Sequence, residues 1–303
     1  MNTLRTPDDY FESLPQWPFQ PKYTEVGDGD GGLIRIHHVD EGPAVADPIL
    51  CMHGEPSWSY LYRHMIPPLV QNGHRVIAPD LVGFGRSDKP ADQNSYTYER
   101  HVTWMSEWLL NLDLQRLTLV CQDWGGLIGL RLATAFPERF SRLVISNTGL
   151  PTGDIPQPAA FAKWREFSQA VEQFDSGAII QMGTTSHLTD EVVAAYNAPF
   201  PNDSFTAGAR RFPLLVPDSP DDPSAEPNRA AWDVLGRWTR PVLVAFSDSD
   251  PVSRGGEKVF LGKIPACSGA SNQVITGAGH FLQEDSGTEL AKIVHEFIVS
   301  NPV

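Results

Sequence analysis

Short apolar runs, most of them rich in β-branched residues, recur along this chain at residues 33–39, 49–52, 75–79, 117–121, 143–146, 241–246 and 272–276. Runs of this length bounded by turn residues predict strands, several of them apolar on both faces and so covered on both sides. Between them the apolar period lengthens toward that of a helix, which predicts helices over residues 58–70 and 98–112, after Trp124, and over 290–299. Strands that alternate with helices predict an α/β fold with a mostly parallel, doubly wound sheet. Sites in such sheets gather at the carboxyl ends of the strands.

The rhythm breaks between Gly149 and Arg237. Prolines crowd this stretch (Pro151, Pro156, Pro158, Pro199, Pro201, Pro213, Pro217, Pro220, Pro223 and Pro227), and strand signal is poor. Helical pieces are expected at 159–174 and 190–196. The organisation expected is a core made of residues 1–148 and 238–303, with residues 149–237 inserted as a helical cap over the sheet edge. There is no internal repeat and no low-complexity segment.

Residues 116–131 concentrate the candidate chemistry. An apolar run ending at Cys121 and Gln122 passes in a few residues to helical spacing after Trp124, and Gly125 and Gly126 let the backbone turn that tightly. Such a strand-to-helix turn lifts one side chain above the sheet edge, here Asp123. This is the nucleophile-elbow pattern with Asp where Ser usually stands and Cys121 where Gly is usual. The alternative is that Asp123 only caps the helix, since Asp is favoured at a helix N-terminus. Asp250 and His280 each follow a strand run, giving the chain order nucleophile, acid, base. Asp248 competes with Asp250 for the acid role; Asp250 is preferred because Asp250-Pro251-Val252 marks the turn after the strand. A histidine after Gly-Ala-Gly is otherwise a common turn residue.

A carboxylate nucleophile restricts the reaction. It is ionised at neutral pH and needs no base to attack, so it can displace a leaving group from a saturated carbon and leave an alkyl ester on the protein. His280, oriented by Asp250, would then activate water against the carboxyl carbon of Asp123. The oxyanion of that step needs two backbone donors, for which the N–H groups of Glu55 and Trp124 are the candidates.

Taken together, His53-Gly54-Glu55-Pro56, the Asp80-Leu81-Val82-Gly83-Phe84-Gly85-Arg86-Ser87-Asp88-Lys89-Pro90 loop, Gln122-Asp123-Trp124-Gly125-Gly126, Ala198-Pro199-Phe200-Pro201, Arg211-Phe212-Pro213 and Gly279-His280-Phe281 carry a resemblance that runs nearly end to end. The chain resembles the haloalkane dehalogenases of the α/β-hydrolase fold, in the subfamily with an Asp-His-Asp triad and two halide-binding tryptophans. The resemblance implies that Trp124 and Trp164 donate their indole N–H groups to the leaving halide. Trp is donor-only and otherwise apolar, so it can hold a poorly hydrated anion without competing as a nucleophile. It also implies an apolar pocket wall that includes Phe161, Phe212 and Pro213. The expected partners are a small halogenated alkane and water, with halide released, and neither cofactor nor metal is expected.

Three rival readings remain at this level. Epoxide hydrolases share the Asp-His-Asp logic but use two cap tyrosines to protonate the epoxide oxygen, and residues 149–237 contain one tyrosine, Tyr196. A fluoroacetate-type dehalogenase would need cations near the nucleophile, and no Arg follows Asp123 closely. A non-catalytic ligand receptor on the same fold would bind without turnover. Net charge of −14 argues against nucleic acid or anionic membrane as partners, because both require clustered Lys and Arg. No window is apolar enough to span a bilayer, and Met1 to Glu12 lacks the apolar core of a signal peptide. The three cysteines, two of them in apolar runs, read as buried thiols, so a cytoplasmic location is expected.

Overall fold

The computed structural model describes residues 1–267 and 272–302. Eight strands form the central sheet: β1 (Lys22–Gly27), β2 (Leu33–Glu41), β3 (Pro48–Met52), β4 (Arg75–Pro79), β5 (Leu117–Gln122), β6 (Phe140–Ser146), β7 (Val242–Ser247) and β8 (Asn272–Ile275). Their spatial order is β8-β7-β6-β5-β3-β4-β2-β1. All neighbours are parallel except the two pairings of β2, which runs against β1 and β4. Helices α1 (Ile66–Gln71), α2 (Tyr98–Asn111) and α3 (Trp124–Ala135) follow β3, β4 and β5. Five helices then lie between β6 and β7: α4 (Ala159–Ala170), α5 (Ser176–Gly183), α6 (Asp190–Asn197), α7 (Ala207–Arg211) and α8 (Ala225–Leu235). Helix α9 (Gly256–Lys263) precedes β8, and α10 (Leu282–Ser300) closes the chain. Every residue of β3, β5 and β6 is buried, as strands covered on both faces must be.

The sheet departs from expectation at its first edge. Strand β1 was not anticipated, and the reason is physical: it is paired on one side only, and of its six residues Val26 alone is buried, so its apolar signal is weak. The helix expected over 58–70 is instead a 3₁₀ turn at Ser59–Tyr62 followed by α1 from Ile66. Pro67 and Pro68 lack N–H groups and are tolerated only in a first helical turn, so they fix where α1 can start. The helix expected over 159–174 stops at Ala170, and the closing helix begins eight residues before its expected start, at Leu282, with a kink at Ser286. Among the described residues no strand lies between β6 and β7, and no helix is long and apolar enough to cross a membrane. Cys51, Cys121 and Cys267 are buried free thiols.

The parallel strands point their carboxyl ends to one edge. Met52 of β3 is in register with Cys121 of β5, so residues 53–55 and 123 emerge side by side. The close approach depends on Gly125, where an added Cβ would lie 2.0 Å from the Met52 carbonyl oxygen. That oxygen belongs to a central strand and has no room to yield. Gly125→Ala is therefore expected to cost about 1–3 kcal/mol as overpacking, read as a lower denaturant midpoint at unchanged slope.

Candidate active site

Asp123 sits between β5 and α3 at φ 50°, ψ −127°, a conformation non-glycine residues rarely adopt. Neighbouring backbone holds it there. Its N–H donates to Asn147 O at 3.1 Å, and its carbonyl accepts from Gly126 N–H at 2.8 Å and from the Thr148 hydroxyl at 2.6 Å. The carboxylate makes no capping bond to α3. Instead Oδ1 accepts the Glu55 N–H at 2.8 Å, and Oδ2 lies 3.6 Å from His280 Nε2. The capping alternative is thereby answered: the elbow spends its strain on aiming the carboxylate away from the helix. The other expected backbone donor, the Trp124 N–H, opens α3 and makes no bond to the carboxylate.

His280 follows β8 and turns its Nδ1 to Asp250 Oδ2 at 2.9 Å. The Asp250 side chain is 1% exposed and is held further by the Val252 N–H at 2.7 Å and by the hydroxyl of Ser253. Its desolvation opposes ionisation, but His280 and these donors hold its carboxyl below the usual range. Asp248, the competing acid, accepts the Gly277 N–H at 2.8 Å and is exposed, away from the ring. The His280 backbone N–H donates to Gly183 O, at the end of α5, at 2.7 Å, tying the loop after β8 to the helical segment.

Two opposed influences set the charge of His280. Burial disfavours the imidazolium, while Asp250 and Asp123 favour it and win, raising the ring to about 10. Gln122 works the other way. Its Nε2 donates to the His280 carbonyl at 3.2 Å and lies 3.1 Å from His280 Nε2, a favourable contact only when that ring nitrogen keeps its lone pair. Gln122, Asn147 and Thr148 were missed in the sequence. The available signal was their position, directly at the carboxyl ends of β5 and β6.

A cavity of about 210 Å³ opens over the carboxylate, lined by Asp123, Trp124, Phe161, Trp164, Phe281 and His280 among others. Trp124 and Trp164 thus reach the same space, and neither indole N–H has a protein acceptor among the described residues; those of Trp58 and Trp232 donate to Ala195 O and Leu150 O, while those of Trp108 and Trp238, outside the cavity, also lack one. Glu55 also lines the cavity. Burial, with Asp123 beside it, pushes its carboxyl well above the usual range, and its Oε1 is buried without a partner.

Two expected wall residues stand elsewhere. Phe212 is fully buried behind Trp124, ring centroids 4.6 Å apart, and packs on Phe84 and His101 as well. It backs the tryptophan and does not face the cavity. Pro213, beside it in the 3₁₀ turn Phe212–Leu215, is buried and likewise outside the lining. An aromatic-proline pair has the same apolar signature in a wall and in the layer behind it. Sequence gave no sign of the residues that do complete the wall, Ile179 and Met182 of α5.

A profile of the alpha/beta hydrolase fold matches residues 47–287. The chain is 55% identical to a haloalkane dehalogenase of Psychrobacter cryohalolentis, over 100% of both chains. It is 48% identical to a haloalkane dehalogenase of Mycobacterium marinum, over 96% of this chain and 98% of the other. Among solved structures, the tetrameric haloalkane dehalogenase of Paraglaciecola agarilytica NO2 superposes with a TM-score of 0.90 at 35% identity, covering 97% of each chain. A full-length match at this identity, on an Asp-His-Asp geometry beneath a cavity that two tryptophans share, places the family: the chain belongs to the haloalkane dehalogenases, hydrolases of the alpha/beta hydrolase fold.

Proposed function

We propose that this protein hydrolyses the carbon–halogen bond of haloalkanes to alcohol, halide and proton through an alkyl ester on Asp123. The observation that carries the reading is the asymmetry of one carboxylate. Oδ1 is held by the Glu55 N–H while Oδ2 lies 3.6 Å from His280 Nε2, and Asp123 lines the cavity that Trp124 and Trp164 share. Oδ2 attacks the halogen-bearing carbon, the C–O bond forms as the C–X bond breaks, and the halide leaves with its electron pair toward the two indoles.

Esterification removes the negative charge beside His280. The ring then loses one of the two carboxylates that raise it, and burial and Gln122 favour the neutral base. Neutral His280 takes a proton from water as the water oxygen attacks Cγ of Asp123. The charge that develops falls on Oδ1, where the Glu55 N–H already points, joined by the Trp124 N–H. Collapse expels the alcohol and restores the carboxylate. Residues 149–237 act in this reading as the cap that closes the cavity.

The epoxide reading fails on the one tyrosine that could serve it. Tyr196 is fully buried and donates its hydroxyl to Glu284, which is paired with Arg63, so it offers no proton to the cavity.

Purified protein given 1-bromobutane, 1,2-dibromoethane and, in parallel, styrene oxide tests the assignment. Bromide released in step with acid is the expected result; diol from the epoxide without bromide would move the assignment. For the halide site, Trp164→Phe keeps the ring and removes the donor. It is expected to weaken bromide binding by about 1.5–3 kcal/mol, the worth of a hydrogen bond to a charged group, measured by quenching of tryptophan fluorescence. Unchanged halide affinity and turnover would remove Trp164 from the role.

A further inference from the structure

A second cavity of about 390 Å³ starts from the same floor. Asp123, Trp124, Phe161, Val252 and His280 line both spaces, so the nucleophile stands at a junction of two branches. The second branch runs outward between residues 147–158, Trp232 of α8 and the side of α9, and its wall is apolar, with Leu127, Leu150, Ile155, Val259 and Phe260. It is buried at its inner end, where Asn147 is 0% exposed, and open at the other, where Ile155 is 76% exposed.

Two cations line this branch, Arg254 ahead of α9 and Lys263 at its last residue, both exposed. Lys263 Nζ stands 4.8 Å over the ring of Trp232, and Trp232 is itself fixed by its N–H to Leu150 O at 2.8 Å. Arg254 is held by Asp248 O at 3.0 Å, a backbone acceptor. Among the described residues neither cation forms an ion pair: Asp154, which feels the charge of Lys263, is paired with Arg229 at 2.9 Å, Asp248 accepts the Gly277 N–H, and Glu257 accepts the Gly255 N–H. In a chain of net charge −14, an apolar branch lined by two unpaired cations is complementary to an anion at the far end of an alkyl chain.

The geometry points to ω-halocarboxylates of medium to long chain as substrates, with the halogen-bearing carbon at Asp123, the methylenes along the second branch and the carboxylate drawn to the cations that line it, Lys263 first. This rests on the haloalkane reading above and names a substrate class for the same site. The chemistry is unchanged: the carboxylate at the far end takes no part in bond breaking and leaves as part of an ω-hydroxy acid. Haloacetate carries its carboxylate on the halogen-bearing carbon itself, so it cannot place that group along the branch while the carbon is at Asp123.

The test measures bromide release from 8-bromooctanoate, its methyl ester, bromoacetate and 1-bromohexane at low ionic strength. The expected result is a higher kcat/KM for 8-bromooctanoate than for its neutral ester, carried by KM, lost on adding salt, and no comparable gain for bromoacetate. Lys263→Met is expected to lower the acid-to-ester ratio by up to about five-fold, the range of an exposed ion pair, and Arg254→Met/Lys263→Met to lower it further. Lys258→Met, on α9 but outside the branch, should leave the ratio in place. No preference for the acid, or a preference that both Met variants retain, overturns the proposal while 1-bromohexane still turns over. Absence of bromide from 1-bromohexane as well would instead bring down the haloalkane reading on which it rests.

Discussion

Asp123→Ala is expected to reduce bromide release by at least about four orders of magnitude, because covalent catalysis has no substitute nucleophile in this cavity. Glu55, the other acid lining the cavity among the described residues, has its carboxyl pushed well above the usual range, chiefly by burial, which Asp123→Ala leaves in place. The substitution also has a signature apart from activity. With Asp123 gone, Asp250 alone opposes the desolvation of His280, so the ring, raised to about 10 in the native protein, titrates at lower pH. A group whose folded pKa is raised stabilises the fold fully below its unfolded value, here near 6.5, and that contribution fades as pH rises through about 10. Thermal midpoints of the native protein should thus lose this contribution gradually across that window, and in Asp123→Ala the loss should end at lower pH. Residual turnover above one part in a thousand would show that Asp123 is not the nucleophile. Midpoints whose pH dependence is the same in both proteins would show that it does not hold the charge of His280.

How much of this was legible in the sequence follows from where each residue draws its constraint. Strands β3 to β7 and the order Asp123, Asp250, His280 were readable because buried parallel strands are long apolar runs and the acids and base follow them at once. Edge strand β1 was not, because one-sided pairing removes the apolar pattern. The choice of Asp250 over Asp248 was readable from turn chemistry, and the geometry agrees: Asp250 meets the ring at 2.9 Å while Asp248 ties down the Gly277 N–H. The pocket wall was only half readable. Phe161 and Trp164 of α4 reach the cavity, whereas Phe212 supports Trp124 from behind, and Ile179 and Met182 enter from α5. Which face of a cap helix meets the site depends on how the helices of residues 149–237 pack on one another, and no local pattern encodes that. Gln122 illustrates the opposite limit: it was in view, next to the nucleophile, but its role depends on a contact with a residue 158 positions away.

His280→Phe should separate the two half-reactions. The first step needs the ionised carboxylate, the Glu55 N–H that orients it and the two indoles, and His280 enters none of these as a proton acceptor. One equivalent of bromide per active site is therefore expected at close to the native rate. The second step needs a base within reach of a water beside Cγ of Asp123, and His280 Nε2, 3.6 Å from Oδ2, is the group so placed. Without it the ester should persist, visible by mass spectrometry of the intact protein as an increase of one alkyl group, localised to the peptide that contains Asp123. The phenyl ring can keep the edge contact that His280 makes with Phe281 at 5.0 Å, but it leaves Asp250 without its ring partner. Asp250 retains the Val252 N–H and the hydroxyl of Ser253, so the variant should fold, with a loss of about 1–3 kcal/mol for the unmade charged bond. A folded variant that continued past one turnover would show that another group activates the water. A folded variant that released no bromide at all would show that His280 is needed before the ester forms, which would contradict the division of labour drawn from the two oxygens of Asp123.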